Sequence, residues 1–278
     1  MKTDENFLLG LCQMATRVAK EENLRQAQQM VQQAAQEGCR LVVLPEMFSC
    51  PYQAALFPKY AEPAEGETVS RMSAWARESG VVLVGGSIPE CDEAGRVYNT
   101  SFVFDEQGVL LGRHRKMHLF DVDIAGGTCF RESDTLTAGN ELTLCETSVG
   151  VLGVGICYDM RFGAMAGEMV RRGADLLIYP AAFGWTTGPA HWELTLRARA
   201  VDHQVFVVGA APAKLAGSVY EAYGHSLVAD PWGRILFQAD ETEQLVKVEI
   251  DRAVQAKVRA ELPLLQHLRG DYRILPQQ

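Results

Sequence analysis

Leu41-Val42-Val43-Leu44-Pro45-Glu46 is apolar at four successive positions, then meets a proline and a carboxylate. A short run without alternation fits a strand covered on both faces, and Pro45 ends its ladder pairing. Leu24, Ala27, Met30, Val31, Ala34 and Ala35 precede it at helical spacing. Asn23 fits the N-cap of that helix and Gly38 its C-terminal stop. A helix feeding a doubly covered strand implies an α/β architecture. Leu176-Leu177-Ile178-Tyr179-Pro180 has the same form and also follows an amphipathic helix, which hints at two related halves.

The alternation continues outward. Strands are expected over 7–14, 81–88, 97–105, 109–113, 142–147, 151–156, 175–179, 205–210, 225–230, 234–238 and 245–250. Helices are expected over 69–79, 163–172 and 190–203. Asp230-Pro231-Trp232-Gly233 reads as a hairpin turn. Residues 119–141 lack periodicity, and a loop that long in a compact domain is often functional. The last ~28 residues read as helical and then extended, and can serve as a dimer arm.

At 278 residues, 47% hydrophobic and 22% charged, the chain has the make-up of a soluble globular protein. No low-complexity linker divides it, so residues 1–278 are read as one domain. A net charge of −9 argues against nucleic acid, and Arg113-His114-Arg115-Lys116 is too short for a basic stripe. The polar start Met1–Asn6 is unlike a signal peptide. No apolar run approaches the ~20 residues of a membrane span. A cytoplasmic protein with no membrane partner is expected. The seven cysteines show no C-x-x-C pair and no zinc spacing, which fits free thiols and no metal.

Three strand ends carry chemistry. Cys157 closes the apolar run 151–156, Glu46 follows 41–44, and Lys116 follows the basic end of the 97–113 hairpin. A thiol, a carboxylate and an ammonium can together perform acyl transfer. The carboxylate moves the thiol proton, and the ammonium holds a tetrahedral oxyanion beside the N–H that follows the nucleophile. Taken singly, Cys157 also fits a buried strand cysteine, and Glu46 with Lys116 also fits a structural ion pair.

Leu44-Pro45-Glu46, Arg115-Lys116-Met117-His118-Leu119 and Gly155-Ile156-Cys157-Tyr158-Asp159-Met160-Arg161-Phe162 resemble the three signatures of the nitrilase superfamily of carbon–nitrogen hydrolases, in the family's order. The resemblance runs on through Tyr179–Phe183, Thr187–Glu193, Arg197–Ala200, Tyr223–Ser226 and Asp230–Gly233. Within the superfamily, His118–Asp123, Phe130–Ser133 and Thr135-Leu136 are most similar to the omega-amidase branch. The resemblance implies a four-layer α-β-β-α sandwich that assembles as a homodimer or larger homo-oligomer. It implies Cys157 as nucleophile, Glu46 as general base, Lys116 as oxyanion stabiliser and Glu132 as a second glutamate that positions the lysine. It further implies Tyr52, Tyr158, Arg161, Phe183 and Thr187 around the substrate, with Arg161 suited to a carboxylate. No cofactor is implied. The expected reaction is hydrolysis of the terminal amide of a small dicarboxylic monoamide, 2-oxoglutaramate or 2-oxosuccinamate.

Two positions depart from the pattern. Ala164 stands where the family often has a glutamate, which removes a partner for Arg161, and Ala125–Cys129 is rich in small residues. Another amidase of the superfamily, acting on deaminated glutathione, an N-carbamoyl compound or a nitrile, is the nearest rival, because the same triad serves all of them. Gly150, Gly153 and Gly155 do not form G-x-G-x-x-G, which disfavours a nucleotide-binding protein. The intact Glu46, Lys116, Cys157 and Glu132 disfavour a catalytically dead scaffold.

Overall fold

The computed structural model describes residues 6–271. The first sheet uses β1 (Phe7–Gln13), β2 (Cys39–Val43), β3 (Val82–Val84), β4 (Ile88–Cys91), β5 (Val97–Phe104) and β6 (Leu110–Arg115), with α1 (Lys20–Gln36), α2 (Phe57–Tyr60) and α3 (Glu67–Ser79) between them. A two-stranded ribbon, β7 (Asp121–Asp123) and β8 (Cys129–Arg131), follows. The second sheet uses β9 (Thr143–Thr147), β10 (Gly150–Val154), β11 (Leu176–Pro180), β12 (Phe206–Ala210), β13 (Leu227–Ala229) and β14 (Ile235–Gln238), with α4 (Gly163–Arg171) and α5 (Gly188–His203). β15 (Gln244–Ile250) then returns to the first sheet, antiparallel to β1, from Phe7 opposite Ile250 to Gln13 opposite Gln244. The helices α6 (Arg252–Glu261) and α7 (Leu264–His267) end the described chain. The extended end expected beyond them lies largely outside the described residues.

Strand alternation builds the layers. Leu9, Leu11, Leu41, Val43, Val82 and Val84 point inward and meet Leu152, Val154, Leu176, Ile178, Phe206 and Val208 of the other sheet. The intervening residues point outward. Cys12, Val42 and Leu83 pack under α1 and α3, while Leu177, Tyr179 and Val207 pack under α4 and α5. The result is the expected α-β-β-α sandwich. Each fully buried Leu, Val, Ile or Phe side chain contributes roughly 1.5–3 kcal/mol.

The two sheets share a plan. The first runs β15-β1-β2-β3-β5-β4 and the second β14-β13-β12-β11-β10-β9. In each, three parallel strands are flanked by antiparallel ones. β2 and β11, the two look-alike segments, hold equivalent places.

Three local expectations need correction. The strand expected over 81–88 is two strands broken at Gly86, whose φ of 56° lies in the left-handed region. Asn23 is not the N-cap of α1, which starts at Lys20. It is buried inside the helix and clamps the preceding loop, accepting Arg17 N–H at 2.8 Å and donating to Arg17 O at 2.7 Å. Residues 119–141 are not all irregular: they hold the β7–β8 ribbon, too short to show periodicity, and a 3₁₀ turn at Glu132–Asp134.

Candidate active site

Glu46, Lys116, Glu132 and Cys157 meet where the two sheets open at their strand ends. Glu46 follows β2, Lys116 follows β6, Glu132 opens its 3₁₀ turn after β8, and Cys157 opens a 3₁₀ turn after β10. All four are buried. Lys116 Nζ lies 3.0 Å from Glu46 Oε1 and 2.8 Å from Glu132 Oε1. Glu46 also accepts Asn99 Nδ2 at 2.8 Å and the Ala182 N–H at 2.7 Å, and the Cys157 thiol is close enough for each group to bear on the other's ionisation. Glu132 also accepts the Tyr52 hydroxyl at 2.6 Å and the Phe120 N–H at 2.7 Å. Buried carboxylates persist only with such partners.

The backbone at Cys157 is unusual. Its φ is +46°, the left-handed region that a non-glycine residue occupies only when its surroundings impose it. The turn lifts the sulfur out of the strand and aims it at Glu46.

Burial sets the protonation states. It raises the Glu46 carboxyl above its ordinary value; Lys116 pulls it down and Glu132 pushes it up. Burial opposes the charge on Lys116, but Glu132 and Glu46 outweigh it and hold the ammonium well above the usual lysine value. Burial, with Glu46 adding to it, raises the Cys157 thiol well above its ordinary value despite Lys116. The resting sulfur is therefore a thiol, not the thiolate a neighbouring cation alone would give. A base must take its proton, and Glu46 is the carboxylate close to it.

The flanking residues fall into two sets. Tyr52 joins the cluster through Glu132, and its ring lies 4.7 Å from that of Tyr220, whose hydroxyl donates to Ala182 O at 2.6 Å. Both tyrosines line the small cavity beside Glu46 and the wider mouth outside it, where Phe130 and Trp185 join them. Arg161 ends the Cys157 turn, with its guanidinium 4.8 Å from the Phe183 ring centre and 5.7 Å from that of Tyr158. Its Nη1 is 3.2 Å from His191 Nδ1, while its buried Nε has no partner. Thr187 is not tied to the cluster: its described bonds are backbone ones, to Gly184 O and from His191 N–H.

Sequence reading missed Asn99, Tyr220, and Asp159 with its two histidines. Asn99 had a signal, since Asn99-Thr100-Ser101 puts three polar residues inside a fully buried strand. Tyr220 had none.

A strand-end Glu–Lys–Cys cluster on a four-layer sandwich defines a class, and the chain belongs to it: residues 8–260 match the carbon-nitrogen hydrolase family. Among relatives, it is 46% identical to the omega-amidase NIT2 of Mus musculus over 265 residues, 95% of this chain and 96% of that one. It is 44% identical to omega-amidase NIT2 of Homo sapiens over 266 residues, 96% of each chain. The crystal structure of Saccharomyces cerevisiae Nit3, a member of branch 10 of the nitrilase superfamily, superposes with a TM-score of 0.87 at 41% identity, covering 95% of this chain and 97% of that one.

Proposed function

We propose that this chain is an omega-amidase, hydrolysing the terminal amide of short dicarboxylic monoamides such as 2-oxoglutaramate and 2-oxosuccinamate to the acid and ammonia. The observation that carries the reading is the closeness of a buried, neutral thiol to a carboxylate that a buried ammonium also holds. The near full-length likeness to omega-amidases of vertebrates supports the substrate class.

Glu46 takes the Cys157 proton as the sulfur attacks the amide carbon. The carbonyl oxygen becomes an oxyanion held by Lys116 and the Tyr158 N–H. As the C–N bond breaks, Glu46 gives that proton to the departing nitrogen, ammonia leaves, and a thioester remains. Water then attacks the thioester, losing a proton to Glu46. The C–S bond breaks, the acid leaves, and Glu46 returns the proton to the sulfur. Glu132 and Tyr52 hold Lys116 in place throughout. Arg161, which ends the Cys157 turn, is the cation for a substrate carboxylate, and its unpartnered Nε suits that role. A site built for a carboxylate rejects substrates without one, because the charge would stay unpaired. The steps use only side chains, backbone N–H groups and water.

We read residues 1–278 as one catalytic domain of a cytoplasmic homodimer or larger homo-oligomer. Leu262, Leu264, Leu265 and Leu268, exposed at the C-terminal end, support that segment as a subunit contact. Among the described residues no helix is long and apolar enough to cross a membrane.

The test is ammonia release from 2-oxoglutaramate by the wild type and by Cys157→Ala, with glutamine and a short nitrile alongside. Turnover of the oxo-amide by the wild type only is expected. Turnover surviving in Cys157→Ala removes the thiol from the mechanism, and preference for glutamine or the nitrile removes the substrate class.

A further inference from the structure

The ion pairs of Lys116 fix the two glutamates around the ammonium, but Cys157 arrives from the other sheet. Lys116 follows β6 of the first sheet and Cys157 follows β10 of the second. Attack and oxyanion stabilisation need both groups on one carbonyl. Something must hold the two strand ends in register.

Asp159 is built to do that. Its carboxylate is fully buried inside the Cys157 turn. Oδ2 accepts the Ile156 N–H at 2.9 Å and lies 3.0 Å from His114 Nε2. Oδ1 accepts the His118 N–H at 2.9 Å and lies 2.7 Å from His118 Nδ1. One side chain therefore grips the residue before Cys157 and the residues two before and two after Lys116. His114 is itself buried, with Nδ1 3.2 Å from Thr143 Oγ1 on β9, and His118 stacks on Phe162 with ring centres 3.6 Å apart. The clamp thus ties both sheets to the turn whose left-handed Cys157 most needs support.

We propose that Asp159 is a positioning residue for the reaction: its carboxylate locks the Cys157 turn to the strand end that carries Lys116, and so sets the approach of sulfur and ammonium to the same carbonyl. The inference rests on the triad reading above.

Asparagine is nearly isosteric but cannot replace it. Turned one way, its amide nitrogen faces the Ile156 N–H; turned the other, the His118 N–H. Either way a backbone donor meets a donor, and no change of histidine tautomer relieves that.

The experiment compares wild type, Asp159→Asn, His118→Ala and Val31→Ala at a temperature below unfolding of each. Val31 lies in the remote α1 layer, so its truncation lowers stability without touching the clamp. Two readouts are taken: kcat and KM for ammonia release from 2-oxoglutaramate, and the rate of Cys157 alkylation by iodoacetamide, followed by mass spectrometry. Asp159→Asn is expected to lose roughly 10- to 100-fold in kcat with KM changed less than about twofold, and to alkylate about tenfold more slowly. His118→Ala, which removes one of four bonds at a partly exposed site and should fold even if Asp159→Asn does not, is expected to lose several-fold in kcat. Val31→Ala should match wild type in both readouts. Wild-type kcat and alkylation in either clamp variant, or an equal loss in Val31→Ala, overturns the proposal. The alkylation arm reads the thiol even if the oxo-amide is not turned over, so failure of the substrate reading stays separate.

Discussion

Replacing Lys116 by methionine removes the charge that reconciles two buried carboxylates while roughly keeping the volume. The ammonium sits 3.0 Å and 2.8 Å from Glu46 and Glu132, and all three side chains are wholly shielded from solvent. Removing one partner of a buried pair costs about 3–5 kcal/mol, because the remaining charge has nothing to offset its desolvation. Methionine fills most of the space, so cavity formation adds little. For a chain of this size the loss corresponds to a fall in Tm of about 5–9 °C. The fall should depend on pH, with a definite sign. Burial and Glu132 already raise the Glu46 carboxyl, and without Lys116 the largest influence holding it down is gone. A carboxyl whose folded-state pKa lies above its unfolded value holds its proton more tightly when folded. Its penalty on folding is absent below the unfolded value of 4.5 and grows as pH rises toward the folded one. In the wild type the Lys116 ammonium is held well above its ordinary value of 10.5, so it stays charged across the neutral range. The Tm difference between the two proteins should therefore be smallest near pH 5 and largest near pH 8. Thermal unfolding by circular dichroism at both pH values measures it, and amide hydrolysis should fall at least about 100-fold with loss of the oxyanion donor. A Tm difference that is absent, or equal at the two pH values, would refute the charged Glu46–Lys116–Glu132 arrangement.

Glu132→Gln should cut kcat by about 10-fold or more in a steady-state ammonia assay, because it removes one counter-charge of Lys116 and turns an amide nitrogen toward either the Phe120 N–H or the Lys116 and Tyr52 donors. Wild-type kcat in that variant would remove Glu132 from the machinery. Gly86→Ala should destabilise the fold by roughly 2–4 kcal/mol in urea unfolding, since φ is +56° and a Cβ would strike Pro45 O and lie 2.9 Å from Leu44 O. The clash falls on the bend that carries Glu46, so activity should fall with stability; an unchanged urea midpoint would show that the bend tolerates a side chain.

What the sequence made legible was local. Glu46, Lys116 and Cys157 each stand where an apolar or strand-like run meets a reactive group, and that contrast is visible within six residues. The layers were legible only through the family resemblance: Leu41 and Val43 face inward and Val42 outward, yet all three are apolar, so the run alone does not separate a sandwich from a doubly wound sheet. What escaped depends on distant contacts. Asp159 lies within the signature around Cys157, yet its role rests on His114, which is 45 residues earlier in the chain. Tyr220 reaches the site across 38 residues through Ala182. Asn23 looked like a helix cap because capping and loop-clamping use the same side-chain atoms, and only the position of Arg17 separates them. The break at Gly86 was hidden because Val81–Val84 and Ile88 bracket only three residues, Gly85-Gly86-Ser87, so the whole stretch reads as one strand.

The two look-alike segments explain why the site lies where it does. β2 and β11 are the central parallel strands of equivalent sheets; Pro45 lies two residues beyond β2 and Pro180 ends β11. Packing the sheets face to face brings these equivalent ends together. One half then supplies a carboxylate, Glu46, and the other, two residues beyond its proline, supplies the Ala182 N–H that holds that carboxylate at 2.7 Å. Sheet-like bonds run as far as Ser87 N–H to Pro45 O and Ala181 N–H to Ala210 O, and the next residues, Glu46 and Ala182, serve the site. The half that carries Ala182 also brings Cys157 at the end of the neighbouring strand β10, whose counterpart in the first sheet is β1. β1 ends on Gln13, whose amide is spent on Asp240 O, Thr242 O and Ser226 N–H. Equivalent strand ends have thus diverged, one into a nucleophile turn and the other into a structural tie between the sheets, and the asymmetry is what leaves one thiol facing one base.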